Sequence, residues 1–158
     1  MTESEAKKIG SRQALISVGI GLLTAQLIMT WLSSSKGLLK GFFWFTNFSY
    51  NLNLIISIII MLLCAHLYGQ RAGKSIIMQH TNSVITGIKC GMAVLITTAF
   101  LSSFTGFFQE GISKIGTDDN PFIDYLFKPF FWIFFFGLVP VLLVGVWSGT
   151  QIKKQASN

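Results

Sequence analysis

Charge is what this sequence has least of. Only 11% of its 158 residues are Asp, Glu, Lys or Arg, against about 25% in an average soluble domain. The stretch 41–70 contains none of the four, and its centre, 54–63, is an apolar run broken only by Ser57. A hydrocarbon slab about 30 Å thick is crossed by about 20 apolar helical residues, so this segment spans a bilayer with residues to spare. Proton-coupled transporters, pumps and voltage sensors keep ionisable groups inside their helices because those groups carry the coupling. The apolar segments here offer nothing of that kind beyond His66, Tyr68 and the cysteines, and no internal inverted repeat of the transporter type is visible.

Other absences narrow the chemistry. The two cysteines, Cys64 and Cys90, sit in different apolar segments and form no Cys-x-x-Cys pair, so they read as small apolar packing residues. The two histidines, His66 and His80, lack the neighbouring ligands that a metal or haem site needs. No carboxylate lies at membrane depth. Asp118, Asp119, Asn120 and Asp124 occupy a connecting loop and lack the alternating ligands and terminal Glu of a calcium loop. The run Gly69-x3-Gly73-Lys74-Ser75 is one residue short of a phosphate-binding loop and follows a membrane helix instead of a strand. Asn47-Phe48-Ser49 matches a glycosylation sequon but lies too close to the membrane to accept a glycan. The expectation is a protein with no catalytic residue, no cofactor and no metal, and not an enzyme.

What the sequence does contain is apolar length. Hydrophobic residues make up 51% of it, and mean hydropathy is +0.60. The fold expected is an all-α integral membrane protein, one domain over 1–158, with four transmembrane helices at about 14–33, 48–68, 78–109 and 129–150 and an outer loop at 110–128. Residues 1–13 read as a polar lead, since the apolar run after them is too long for a signal peptide and has no small-x-small cleavage site. Residues 70–75 read as a basic turn, and 76–89 as a cytoplasmic extension of the third helix. With both termini inside, Lys7, Lys8, Arg12, Arg71, Lys74, Lys89, Lys153 and Lys154 put eight basic residues on the inner face, against four outside. The positive-inside rule then predicts an up-down bundle with both termini cytoplasmic, in the inner membrane of a bacterium. The net charge of +6 reflects that topology and anionic lipid, not nucleic acid.

Three residue patterns remain. Small residues recur at four-residue spacing: Ser17, Gly21 and Ala25; Gly69 and Gly73; Gly87 and Gly91; Gly145 and Gly149. Such spacing lets membrane helices approach closely, within one chain or between subunits. A polar stripe of Thr98, Ser102, Thr105 and Gln109, matched by Gln26, Thr30 and Ser33 on the first helix, fits interhelical hydrogen bonding or a wet pore. Aromatics Phe42, Phe43, Trp44, Phe45 and Trp132 suit the membrane interface. Together these predict a non-catalytic membrane subunit that self-associates and serves as scaffold, sensor or anchor. Its partners are the lipid bilayer, further copies of itself and a cytoplasmic protein that meets the basic residues. Toxin immunity and phage defence are precedents by analogy only. The alternative is a small oligomeric channel.

Overall fold

The computed structural model describes residues 1–33, 42, 43, 45, 51–116 and 120–156, and among these there is no strand. Four long helices are apolar enough to cross a membrane: α1 (Glu3–Leu32), α2 (Asn51–Met78), α3 (Ser83–Gly106) and α4 (Lys128–Ala156). The expected spans at residues 34–41, 44 and 46–50, with Lys36, Lys40, Trp44, Phe48 and Tyr50, lie outside the described residues, as do Asp118 and Asp119.

Helix boundaries differ from the expected ones, and each difference has a local cause. α1 starts at Glu3, eleven residues before the apolar run, because Thr2 and Glu5 form a capping box. The Thr2 side chain accepts from the Glu5 N–H at 3.3 Å, and the Glu5 carboxylate accepts from the Thr2 N–H at 2.7 Å, which satisfies two otherwise orphaned donors. Residues 1–13 are therefore the first turns of α1 and not a lead. α2 continues to Met78 through the supposed basic turn, since nothing there breaks a helix and both of its glycines are needed inside one. The chain reverses at His80, which takes a left-handed φ of 51°. Asn82 then caps α3, its Oδ1 accepting from the Val84 and Ile85 N–H groups at 3.0 and 3.2 Å. The expected third helix from 78 thus belongs in part to α2, and its true start is the Asn82 cap.

The expected loop at 110–128 is largely helical where it is described. α3 runs on into a π-helical turn, Phe107–Gly111, and a 3₁₀ turn, Ile112–Lys114, and a second π-helical turn, Ile123–Phe127, leads into α4. Phe107 stacks on Phe122 with centroids 4.9 Å apart, joining the two arms. Pro140 lies inside α4; having no N–H, it leaves the Phe136 carbonyl without its usual helical donor.

Two clusters form the apolar core. Ala72, Ile76 and Ile152 are buried together with Ile9, Ile77 and Cys90 against them, so one cluster joins all four helices. A second cluster of Ala14, Cys64, Ala65 and Val94 joins α1, α2 and α3. Ala14, Cys64 and Ala65 keep the second cluster small, isoleucines make up most of the first, and many large apolar residues point outward, among them Leu23, Leu27, Trp31, Phe136 and Leu143. That inversion suits a hydrocarbon solvent, in which helices gain from close packing and not from excluding water.

Candidate functional site

Two glycine crossings fix the geometry. At the first, Gly10 of α1 meets Gly69 and Gly73 of α2: a Cβ built on Gly10 would stand 2.6 Å from the Gly73 Cα, and one on Gly69 would stand 2.6 Å from the Ala14 Cβ. At the second, Gly87 of α3 meets Gly145 and Gly149 of α4, with a Cβ on Gly87 falling 2.9 Å from the Gly149 Cα. Gly91 lies beside Val141. All six glycines expected at packing positions on α2, α3 and α4 thus pack within the one chain. The residue that the sequence reading missed is Gly10. Its signal was present as Ala6-x3-Gly10-x3-Ala14 but lay among the charged residues of 1–13.

The third small-residue face behaves differently. A Cβ on Gly21 would meet nothing within 4 Å, and Ala25 is exposed. Among the described residues, no helix approaches Gly21 closely. Instead Ser17, Gly21 and Ala25 line one side of an apolar cavity of about 270 Å³, whose other walls come from α2, α3 and α4, including Ala65, Val94, Val141 and Ser148. α1 and α4 are tied where Gln155 donates to the Gln13 side chain at 3.3 Å, and the cavity opens above that tie.

Polar groups at and around the cavity are mostly turned back on their own helices. Ser17 donates to the Gln13 carbonyl at 2.8 Å, Thr30 to Gln26 at 2.7 Å and Thr105 to Leu101 at 3.2 Å. Gln26 donates to the Phe42 carbonyl at 2.8 Å, and Gln109 is exposed on the π-helical turn. Thr98 and Ser102 are the exceptions: both are buried, and among the described residues neither hydroxyl finds a nitrogen or oxygen partner. Thr98 lines the cavity beside the Cys64 thiol, a weak donor at best. The predicted stripe on α3 is therefore split between two buried hydroxyls and two positions further out.

At the polar end of α1 and α2, His66 links the two helices. Ser11 Oγ lies 2.7 Å from His66 Nδ1, and Gln70 Nε2 lies 2.8 Å from His66 Nε2. Both ring nitrogens are thus engaged, one by α1 and one by α2. The trio braces α1 against α2. Glu3 accepts from Lys7 at 2.8 Å and from Lys74 at 2.9 Å. On this polar first turn of α1, well before the apolar run, the Lys7 and then the Lys74 ammonium groups hold the Glu3 carboxyl down at about 2.

Of the remaining expected residues, Phe42 and Phe43 are exposed and meet edge to face at 5.2 Å, with Phe45 6.0 Å from Phe43. Trp132 is exposed and stacks on Phe136 at 5.5 Å. Arg71 stands over the Tyr68 ring at 5.8 Å. Lys89, Lys153 and Lys154 are exposed. His80 serves the turn, and among the described residues no group of three or more His, Cys, Asp or Glu gathers as a metal site. Compared with known proteins, the chain matches no family model, no curated protein and no solved structure.

Proposed function

We propose that this chain is a non-catalytic membrane subunit, a scaffold, sensor or anchor, that self-associates through the small-residue face of α1, open at Gly21 and Ala25 next to the buried Ser17. The observation that carries this reading is the vacancy over Gly21. Two other small-residue faces of the same chain are each filled by a helix, whereas on this third one, of the same spacing, no described residue stands within 4 Å of a Cβ at Gly21. The cavity it lines is apolar and bears no ionisable side chain apart from the Cys90 thiol, which suits packing better than chemistry. A helix from a second copy, laid into the opening, would find a surface of the kind that α2 and α4 already exploit. In the same reading the bundle is up-down with both termini in the cytoplasm of a bacterium. Lys89, Lys153 and Lys154, with Arg71, then meet a cytoplasmic partner protein.

The test is self-association of the purified protein in detergent, measured by sedimentation or by energy transfer between labelled copies. Gly21→Leu should weaken association roughly tenfold or more, as overpacking a helix contact does. Gly19→Leu, at a position equally free of neighbours but outside the cavity, should leave it unchanged. Association that is indifferent to Gly21→Leu would sink the proposal.

A further inference from the structure

A second concavity lies away from the α1–α4 opening. It is a groove of about 910 Å³ along the junction of α1 and α2, at the polar end of both helices. Lys7, Lys8 and Arg12 stand on its α1 side and His66 and Gln70 on its α2 side, with the buried Ser11 between them. Lys7 is already paired with Glu3. Lys8 and Arg12 are exposed, and no ion pair among the described residues involves them. No carboxylate lines the groove. Its polar wall is fixed in place, because the His66 ring is held at both nitrogens by Ser11 and Gln70.

The groove changes character along its length. Past Arg12 its lining becomes Leu15 and Ile16, and the same side of α1 continues into Ile20, Leu23 and Leu27, exposed by 43%, 67% and 68%. Two unneutralised cations at a membrane boundary, above a track of outward apolar side chains, match an anionic head carried on acyl chains. A guanidinium offers paired donors to phosphate oxygens, and an ammonium adds a point charge beside it. Basic pockets between membrane helices are known to take phospholipid heads on this principle. A free phosphate would make no use of the Leu15 and Ile16 lip.

We propose that this groove binds the phosphate head of an anionic phospholipid in the leaflet nearest the N-terminus. Arg12 and Lys8 hold the phosphate oxygens, the Ser11–His66–Gln70 brace keeps the two helices at the required separation, and Leu15 and Ile16 take the first methylenes of the chain.

The experiment uses the full-length protein in mixed micelles, titrated with phosphatidylglycerol, with phosphatidylcholine or with inorganic phosphate alone. Bound lipid is read by native mass spectrometry and stability by thermal melting. Phosphatidylglycerol should be retained and should raise the melting temperature, and neither of the other two should. Lys8→Ala with Arg12→Ala should lower phosphatidylglycerol affinity about thirtyfold, the loss expected for two basic side chains at a charged surface, while melting in phosphatidylcholine stays as in the unaltered protein. Lys89→Ala with Lys153→Ala removes the same charge elsewhere and should leave affinity unchanged. If the double Lys8 and Arg12 variant does not fold, Arg12→Glu alone must produce the loss. Wild-type affinity in the Lys8 and Arg12 variant overturns the site, and an equal loss in the Lys89 and Lys153 variant replaces it with diffuse attraction. An equal thermal shift from inorganic phosphate overturns the lipid as ligand.

Discussion

The glycines of this chain divide into two kinds that the sequence alone does not separate. A methyl group on Gly10 would strike the backbone of Gly69 and Gly73, whereas one on Gly19 or Gly21 would enter open space. Backbone cannot swing aside as a flexible side chain can, so Gly10→Ala should destabilise the protein by about 1–3 kcal/mol. Gly19→Ala should be neutral or raise stability by up to about 1 kcal/mol, the difference in helix propensity. Thermal melting of the two variants in the same detergent checks this, and equal melting temperatures would contradict the crossing. The glycine spacing on α2, α3 and α4 was legible because nothing else in an apolar helix asks for that residue at that interval. Gly10 was not, since its neighbours Lys7, Lys8 and Arg12 gave the segment the look of a solvated lead. Nor was the Ser11–His66 contact, which joins residues 55 positions apart that no local period relates.

At the level of the elements, the number and kind of the helices followed from apolar length, and their ends did not. Hydropathy marks where hydrocarbon lies, but hydrogen bonding decides where a helix stops. α1 therefore begins eleven residues early at a capping box, and α2 outlasts its apolar run by a further two turns and more. Both extensions project the polar ends of α1 and α2 side by side, where Glu3 of α1 is tied to α2 by Lys74 and flanked on its own helix by Lys7. Because the folded carboxyl is held at about 2 instead of its ordinary 4.5, this pairing contributes fully above pH 4.5 and is lost as pH falls through about 2. Glu3→Gln should flatten the decline in melting temperature over that window and leave the profile near neutrality shallow as before. A decline of the same steepness in both proteins would remove Glu3 from the cause.

For the whole molecule, the two glycine crossings pair α1 with α2 and α3 with α4, and α2 lies against α3 through Ala65, Val94 and the Tyr68–Thr97 contact at 3.1 Å. The ring of four is fastened at one end by Ile152 and by Gln13 with Gln155, and above that tie the cavity lies between α1 and α4. Sequence patterning located the small residues and the hydroxyls that border the opening. It did not locate the opening, because a cavity bounded by four helices depends on residues that no local period relates.

The left-handed turn at His80 carries a consequence for how such a chain is made. The glycine crossing of α1 with α2 is complete before that residue, and the crossing of α3 with α4 lies beyond it. A ribosome would deliver the first hairpin to the membrane as a finished unit while the second is still being synthesised. The halves 1–79 and 81–158, produced as separate polypeptides in one cell, should then co-purify as a complex that melts in a single transition. A first half that is degraded whenever the second is missing would show that the seam between α2 and α3, and not the glycine crossings, is what the cell's quality control inspects.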